Sequence, residues 1–212
     1  MPRSISWMLA AALALGAQQA AVGHTLSLQG LLDPDNPNAV ALLEFETSGS
    51  ASLSIQTWSF GGSAGAPGGA NAAGSVIVAG GFDTYGSLFA GWGVGASFLA
   101  SNDDGLCPPG TASPSCADST LLLAAAPAGR YTLALSLPGN FSFAENLGSG
   151  SLGDGFISMA ASWSDGACAS ACSSQYAVDI SSAALVPEPG AAGLLVLGLL
   201  GLLSSRRRAR TH

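Results

Sequence analysis

The chain has 212 residues, enough for one domain of ordinary size with shorter segments at its ends. Its formal net charge is −7, and between residues 24 and 186 it has 12 Asp and Glu residues against a single cationic side chain, Arg130. Nucleic-acid affinity comes largely from Lys and Arg displacing counterions from phosphates. The composition therefore argues against a nucleic-acid partner and favours a soluble exported protein or a cation-binding surface.

Residues 1–23 have the pattern of a secretory signal peptide. Arg3 supplies the positive start, residues 5–14 are mostly apolar, and Ala21 and Gly23 are small residues suited to a signal-peptidase site. The apolar run is short for a membrane-spanning helix. We expect cleavage after Gly23, so that the mature chain begins at His24.

The body, residues 24–183, is predicted to consist of short strands separated by Gly, Pro and Asp turns. Strands are expected at residues 39–46, 53–57, 75–79, 98–100, 120–124, 130–137, 156–162 and 176–180, with a flexible Gly-rich loop at 61–74. The clearest is 130–137, where large apolar side chains alternate with small or polar ones. Short strands at roughly ten-residue spacing predict an all-β fold, an antiparallel β-sandwich of jelly-roll-like type.

One group of oxygen-bearing side chains is a candidate metal site. Asp83, Asn102, Asp103 and Asp104 lie in predicted turns, and calcium prefers carboxylate, amide and carbonyl oxygens supplied by loops. The spacing of a calcium-binding helix-loop-helix is absent, and Asn-Asp-Asp-Gly is also an ordinary turn sequence. The turn interpretation is favoured over calcium, and no other cofactor is expected.

The four cysteines form two local pairs. In an exported protein we expect disulfides Cys107–Cys116 and Cys168–Cys172, although four cysteines allow three connectivities. A zinc site of four thiolates is disfavoured, because the first spacing is wide for a zinc knuckle and thiolates oxidise outside the cytosol.

The tail, residues 184–212, has three successive parts. Pro187-Glu188-Pro189 resists joining a helix or sheet, and residues 191–203 have no polar side chain. A transmembrane helix over about 190–205 is predicted, with Arg206, Arg207, Arg208 and Arg210 held on the cytoplasmic side. A buried core helix is the alternative, but such a helix in a small β protein needs a polar face.

This order of motif, apolar run and arginine cluster resembles the PEP-CTERM sorting signal of exported proteins in Gram-negative bacteria. The resemblance implies processing near Pro187-Glu188-Pro189 by an exosortase, a transpeptidase-like membrane enzyme. The precursor would be anchored in the inner membrane, and the mature body would reside at the cell surface or outside the cell.

The body also resembles PEP-CTERM-bearing exported β domains, which are similar to the pre-peptidase C-terminal β-sandwich found beside secreted proteases. The matching stretches lie between residues 75 and 180 and include Gly80-Gly81-Phe82-Asp83, residues 99–105, residues 128–135 and Asp154-Gly155-Phe156.

Catalysis is not expected. Nucleophilic triads need an imidazole, and His24 and His212 are the two histidines. A hydrolase using Asp103 and Asp104 is disfavoured, because adjacent carboxylates need not converge across a scissile bond. The sequence therefore predicts a non-enzymatic structural or adhesive protein of the envelope or the biofilm polysaccharide. The alternative is a carbohydrate-binding module that uses Trp58, Trp92 or Trp163 to stack on sugars.

Overall fold

The structure, a computed structural model, describes residues 24–58, 69–78, 81–106, 117–159 and 173–186. These residues form strands, one short helix α1 (Phe143–Leu147) and a 3₁₀ turn (Leu152–Asp154). The strands are β1 (His24–Leu31), β2 (Ala41–Thr47), β3 (Ala51–Thr57), β4 (Gly69–Ala70), β5 (Val76–Ile77), β6 (Tyr85–Ala90), β7 (Ser97–Asn102), β8 (Thr120–Ala126), β9 (Gly129–Ser136) and β10 (Gln175–Ser182).

Eight of these strands make two four-stranded antiparallel sheets. The first sheet has the order β1-β10-β3-β8, the second has the order β2-β9-β6-β7, and β4 and β5 form a separate hairpin. Consecutive strands along the chain repeatedly change sheet, as they do in a jelly roll. The predicted all-β antiparallel sandwich is confirmed.

The main core lies between the sheets. Leu53 and Ile55 of β3 and Val178 of β10 belong to the same buried cluster as Leu133 and Leu135 of β9. Because side chains alternate across a strand, the residues between them must lie on the outer faces.

The outer face of the second sheet is covered by its own chain. Thr132, Ala134 and Ser136 of β9 are fully buried there, and Ala134 packs with Ala144 of α1 and with Leu152. Small side chains on β9 let the segment that follows it approach closely. The outer face of this sheet is therefore largely unavailable as a binding surface.

Most predicted strands are confirmed, with bounds that shift by a few residues. The predicted strand 156–162 is wrong over its described part, because Phe156 makes only an isolated bridge to Ser142 and residues 157–159 are not a strand. Part of the predicted flexible loop is ordered: β4 pairs with β5, and the turn between them is closed by the bond from Asn71 N to Ser75 O.

The strand register defines two ends of the sandwich. At the exit end His24 pairs with Ser182, and the connections 48–50, 91–96 and 127–128 lie at this end. At the acidic end Tyr85 pairs with Ser136, and the connections 32–40, 81–84 and 103–106 lie there.

The chain remains attached to the body beyond β10. Leu185 bridges Thr47, and the N–H of Val186 donates to Glu46 O at 2.9 Å. The described body thus extends to Val186, past the predicted limit at 183.

Candidate functional site

The acidic end carries four aspartates from two neighbouring connections, the one before β6 and the one between β7 and β8. Asp83 precedes β6, Asp103 and Asp104 follow β7, and Asp118 precedes β8. Because β6 and β7 are antiparallel neighbours, with Gly86 opposite Asn102, the start of one strand meets the end of the other. We call Asp83, Asp103, Asp104 and Asp118 the acidic cluster.

Hydroxyl groups hold these connections together. The Oγ1 atoms of Thr57 and Thr84 lie 2.7 Å apart, and the N–H of Ser119 donates to Thr57 Oγ1 at 2.8 Å. Thr57 Oγ1 also donates to Asp118 Oδ1 at 2.9 Å. Ser119 Oγ lies 2.9 Å from the carbonyl oxygen of Asp103. The backbone around the cluster is therefore rigidly positioned by buried side chains.

The carboxyl groups of Asp83 and Asp103 are short of partners. Oδ1 of each is buried and has no hydrogen-bond partner among the residues that the structure describes. Burial, together with the charges of Asp103, Asp104 and Asp118, raises the pKa of Asp83 to about 7. Burial and the charges of Asp104 and Glu145 raise the pKa of Asp103 to about 6. Both environments favour the protonated carboxyl.

The body supplies no cationic side chain to neutralise the cluster. Arg130, the single Lys or Arg between residues 24 and 186, lies at the start of β9, at the exit end. The negative charge of the cluster is therefore not offset by a Lys or Arg side chain of the body. This arrangement can bind protons near neutral pH.

The cluster matches the predicted calcium ligands only in part. Asn102 Oδ1 accepts from the N–H of Thr120 at 2.8 Å, as expected for an amide that closes a turn. Across the described ranges, no group of three or more His, Cys, Asp or Glu side chains is arranged to hold a metal ion. Calcium at Asp83, Asn102, Asp103 and Asp104 stays a prediction, and the geometry favours the turn interpretation.

The candidate sugar-stacking tryptophans have different surroundings. Trp58 is only 5% exposed, and its Nε1 donates to Asp179 Oδ2 at 2.9 Å, so it is a core residue and not a sugar platform. Trp92 is 40% exposed, with the Arg130 guanidinium 4.2 Å from its ring centroid and its Nε1 donating to Tyr131 O. Trp163 lies outside the described residues.

A part-buried polar pair joins α1 to β6. Tyr85 donates its hydroxyl to Glu145, and burial, followed by that contact, raises the pKa of Tyr85. Phe141 packs edge-on against the Tyr85 ring, with centroids 4.8 Å apart. The pair attaches the covering segment to the sheet, which is a structural role. His24 lies at the exposed start of β1.

The remaining predicted sites lie outside the described residues. They are the sorting motif Pro187, Glu188 and Pro189, the arginines Arg206, Arg207, Arg208 and Arg210, and the cysteines Cys107, Cys116, Cys168 and Cys172. In the part of the chain that the structure describes, no helix has the length and apolarity needed to cross a bilayer. The predicted span 190–205 is not within that part.

Sequence reasoning missed three carboxylates. Asp118 belongs to the acidic cluster, Glu145 contributes to the electrostatics of Asp103, and Asp179 accepts from Ser27 Oγ at 2.5 Å as well as from Trp58. Asp179 lies within a clearly predicted strand. An acidic residue at such a position indicates a buried carboxylate with hydrogen-bond donors around it, so this residue could have been found from the sequence. Asp118 and Glu145 had no local sign, because their neighbours are distant in sequence.

Comparisons of the chain with protein-family models and with curated proteins found no match.

Proposed function

We propose that this protein is an exported component of the cell envelope or extracellular matrix with a structural or adhesive, non-catalytic role. The proposal depends on one observation, the tripartite order at residues 187–210 of Pro-Glu-Pro, apolar run and arginine cluster. In this proposal signal peptidase removes residues 1–23, the apolar run halts in the inner membrane, and an exosortase cuts near Glu188. The body then enters a polysaccharide-rich matrix.

The fold of the described body is compatible with this route. His24 pairs with Ser182 in the first sheet, and the N–H of Val186 donates to Glu46 O. Cuts before His24 and after Val186 would leave every described strand pairing intact.

The outer surface of the described body offers little space for a substrate cleft. His24, the single histidine among the described residues, pairs with Ser182 at the exit end, away from the acidic cluster. The outer face of the second sheet, a natural place for a cleft, is filled by the segment containing α1. A rigid, acidic sandwich suits a matrix component that must remain soluble during export.

The sorting step is tested by the variant Glu188→Ala in a host that has an exosortase. We expect the variant to keep its tail mass and remain in the membrane fraction, whereas the parent chain loses the tail. Glu44→Gln, an acidic-to-neutral change on the exposed face of β2, serves as the matched control and should be processed normally. Normal processing of Glu188→Ala would contradict the proposal.

A carbohydrate-binding role is the second candidate, and the exposure of Trp92 is the observation that favours it. One face of the indole is stacked against Arg130, so a sugar would have to use the opposite face or the edge. Glycan-array binding that disappears in Trp92→Ala and persists in Trp92→Phe would support this role. Absence of binding by the parent chain would contradict it.

A further inference from the structure

A continuous row of residues crosses the second sheet at the exit end. Val186 is hydrogen-bonded to Glu46, Glu46 lies opposite Arg130 in the β2–β9 register, and the Arg130 guanidinium stacks on Trp92. Leu185 is buried on the inner side, so Val186 falls on the outer side with Glu46 and Arg130. The point where the chain leaves the body is therefore beside the Trp92–Arg130 pair.

Along this row, exposed apolar side chains lie next to a cationic side chain, Arg130. Val94, in the same connection as Trp92, is 77% exposed, and Val186 is 44% exposed. Tryptophan and arginine are suited to the headgroup level of a bilayer, because the indole is amphipathic and the guanidinium binds phosphate. We call Trp92, Val94, Arg130 and Val186 the exit-end patch.

The charge distribution orients the body relative to an anionic surface. The acidic cluster and the turn residues Asp33 and Asp35 lie at the acidic end, whereas Arg130 lies at the exit end. At the exit end Arg130 is offset by Glu46 and by the exposed Asp154, which follows the residue whose N–H donates to Val94 O. An anionic membrane would therefore repel the acidic end more strongly than the exit end.

The chain length outside the body keeps the exit end near the bilayer. Only residues 187–190 separate Val186 from the apolar run that begins at Ala191. Four extended residues span at most about 14 Å. A body tethered so closely must keep its exit end within reach of the lipid headgroups while the tail is embedded.

We propose that, before the tail is cut, the exit-end patch rests on the surface of an anionic phospholipid bilayer, with Trp92 at headgroup depth and the acidic end pointing away. This inference rests on the proposed function, since it requires the tail to be embedded. It assigns the Trp92–Arg130 pair to lipid contact and presents the Pro187-Glu188-Pro189 segment close to the membrane.

The test uses the chain as it stands after signal cleavage and before the tail is cut, residues 24–212. This chain is reconstituted into vesicles of three parts phosphatidylcholine to one part phosphatidylglycerol. The phosphatidylcholine carries bromine atoms high on its acyl chains, where they quench tryptophans near the headgroups. We expect the vesicles to quench a larger fraction of the tryptophan fluorescence in the parent chain than in Trp92→Phe. Arg130→Gln should reduce the quenching, and Glu46→Gln should increase it. Unfolding melts of each variant establish that it is folded.

Different failures have different meanings. If the chain floats with the vesicles but the parent and Trp92→Phe are quenched equally, the lipid contact is overturned while the proposed sorting route stands. If replacing Leu199 and Leu200 with Arg leaves flotation unchanged, the tail is not the anchor, and both proposals fall. Glycan-array binding that is lost in Trp92→Ala, together with vesicle quenching that does not depend on Trp92, would identify Trp92 as a sugar site and overturn the lipid assignment.

Discussion

At the scale of single residues, Asp179 is a buried carboxylate whose hydrogen-bond partners are far away in sequence. Asp179 accepts hydrogen bonds from Ser27 on β1, from the indole of Trp58 and from the N–H of Ala72. These contacts connect the first sheet to the hairpin of β4 and β5. A buried carboxylate with three donors is an attachment point for elements that have little core of their own.

The Trp58 indole is therefore expected to matter for stability. Trp58→Phe retains an aromatic ring but removes one donor from Asp179, and we expect a loss of about 2 kcal/mol in the free energy of unfolding. Denaturant unfolding measures the loss. Trp92→Phe is the matched control, and because Trp92 is partly exposed its cost should be below about 1 kcal/mol. Equal losses in the two variants would contradict the role given to Asp179.

Asp83 should make the body more stable at mildly acidic pH. Its pKa in the folded protein is about 7, against an ordinary value of 3.8, because burial and three neighbouring aspartates disfavour its charge. Between these values the folded state binds more protons than the unfolded state, so the free energy of unfolding falls as pH rises. Asp103, with a pKa of about 6, adds to this trend over the lower part of the range.

Asp83→Asn tests this linkage. The amide is neutral at every pH, so the variant should show a flatter dependence of the unfolding midpoint between pH 5 and pH 8 and should be more stable than the parent at pH 8. Thermal melts across this range give the comparison. Glu44→Gln removes an exposed carboxylate from the outer face of β2 and should leave the slope of the parent nearly unchanged. A slope unaltered by Asp83→Asn would show that Asp83 does not hold a proton.

At the scale of elements, the connection after β7 is built as a turn. Asn102 receives the N–H of Thr120, and Gly105 donates its N–H to Asp118 O at 2.9 Å, so the chain is closed by its own groups. A Cβ on Gly105 would lie 2.6 Å from Thr120 N, which explains the glycine. The turn needs no metal to be complete.

We therefore expect the unfolding midpoint to be the same in EDTA as in millimolar calcium at neutral pH. The physical reason is that Asn102 is engaged and the three aspartates of the prediction do not converge on one point. A midpoint that rises with calcium in the parent chain, and fails to rise in Asp103→Asn, would show a cation site instead.

The elements that sequence reasoning found are those with one buried face. β9 was visible because Tyr131, Leu133 and Leu135 alternate with smaller residues. β6 was missed because Tyr85, Ser87 and Phe89 are buried under the covering segment while Leu88 faces the core, so alternation between apolar and polar residues is lost. Three of the four members of the acidic cluster, Asp83, Asp103 and Asp104, were predicted from the sequence, because local turn chemistry marks them. Only the fold brings Asp118 to them.

At the scale of the whole molecule, the two ends of the sandwich differ in character. The exit end holds both limits of the described body, His24 and Val186, together with Arg130. The acidic end collects carboxylates around rigid hydroxyl contacts. The described body thus places most of its aspartates at one end, and the two proposed processing points adjoin the other.

The stability of the body should therefore be unaffected when the tail is removed at the proposed cut, and it should fall when residues before Val186 are removed as well. A chain ending at Val186 keeps the bridge between Leu185 and Thr47, and we expect its unfolding free energy to match that of the chain ending at Pro189. A chain ending at Ser182 loses Leu185, which is 5% exposed, and should be less stable by about 3 kcal/mol. Denaturant unfolding of the three chains, each beginning at His24, makes the measurement. If the chain ending at Val186 has a lower unfolding free energy than the chain ending at Pro189, residues 187–189 belong to the folded body. The sorting motif would then not be free for an enzyme that binds extended chain.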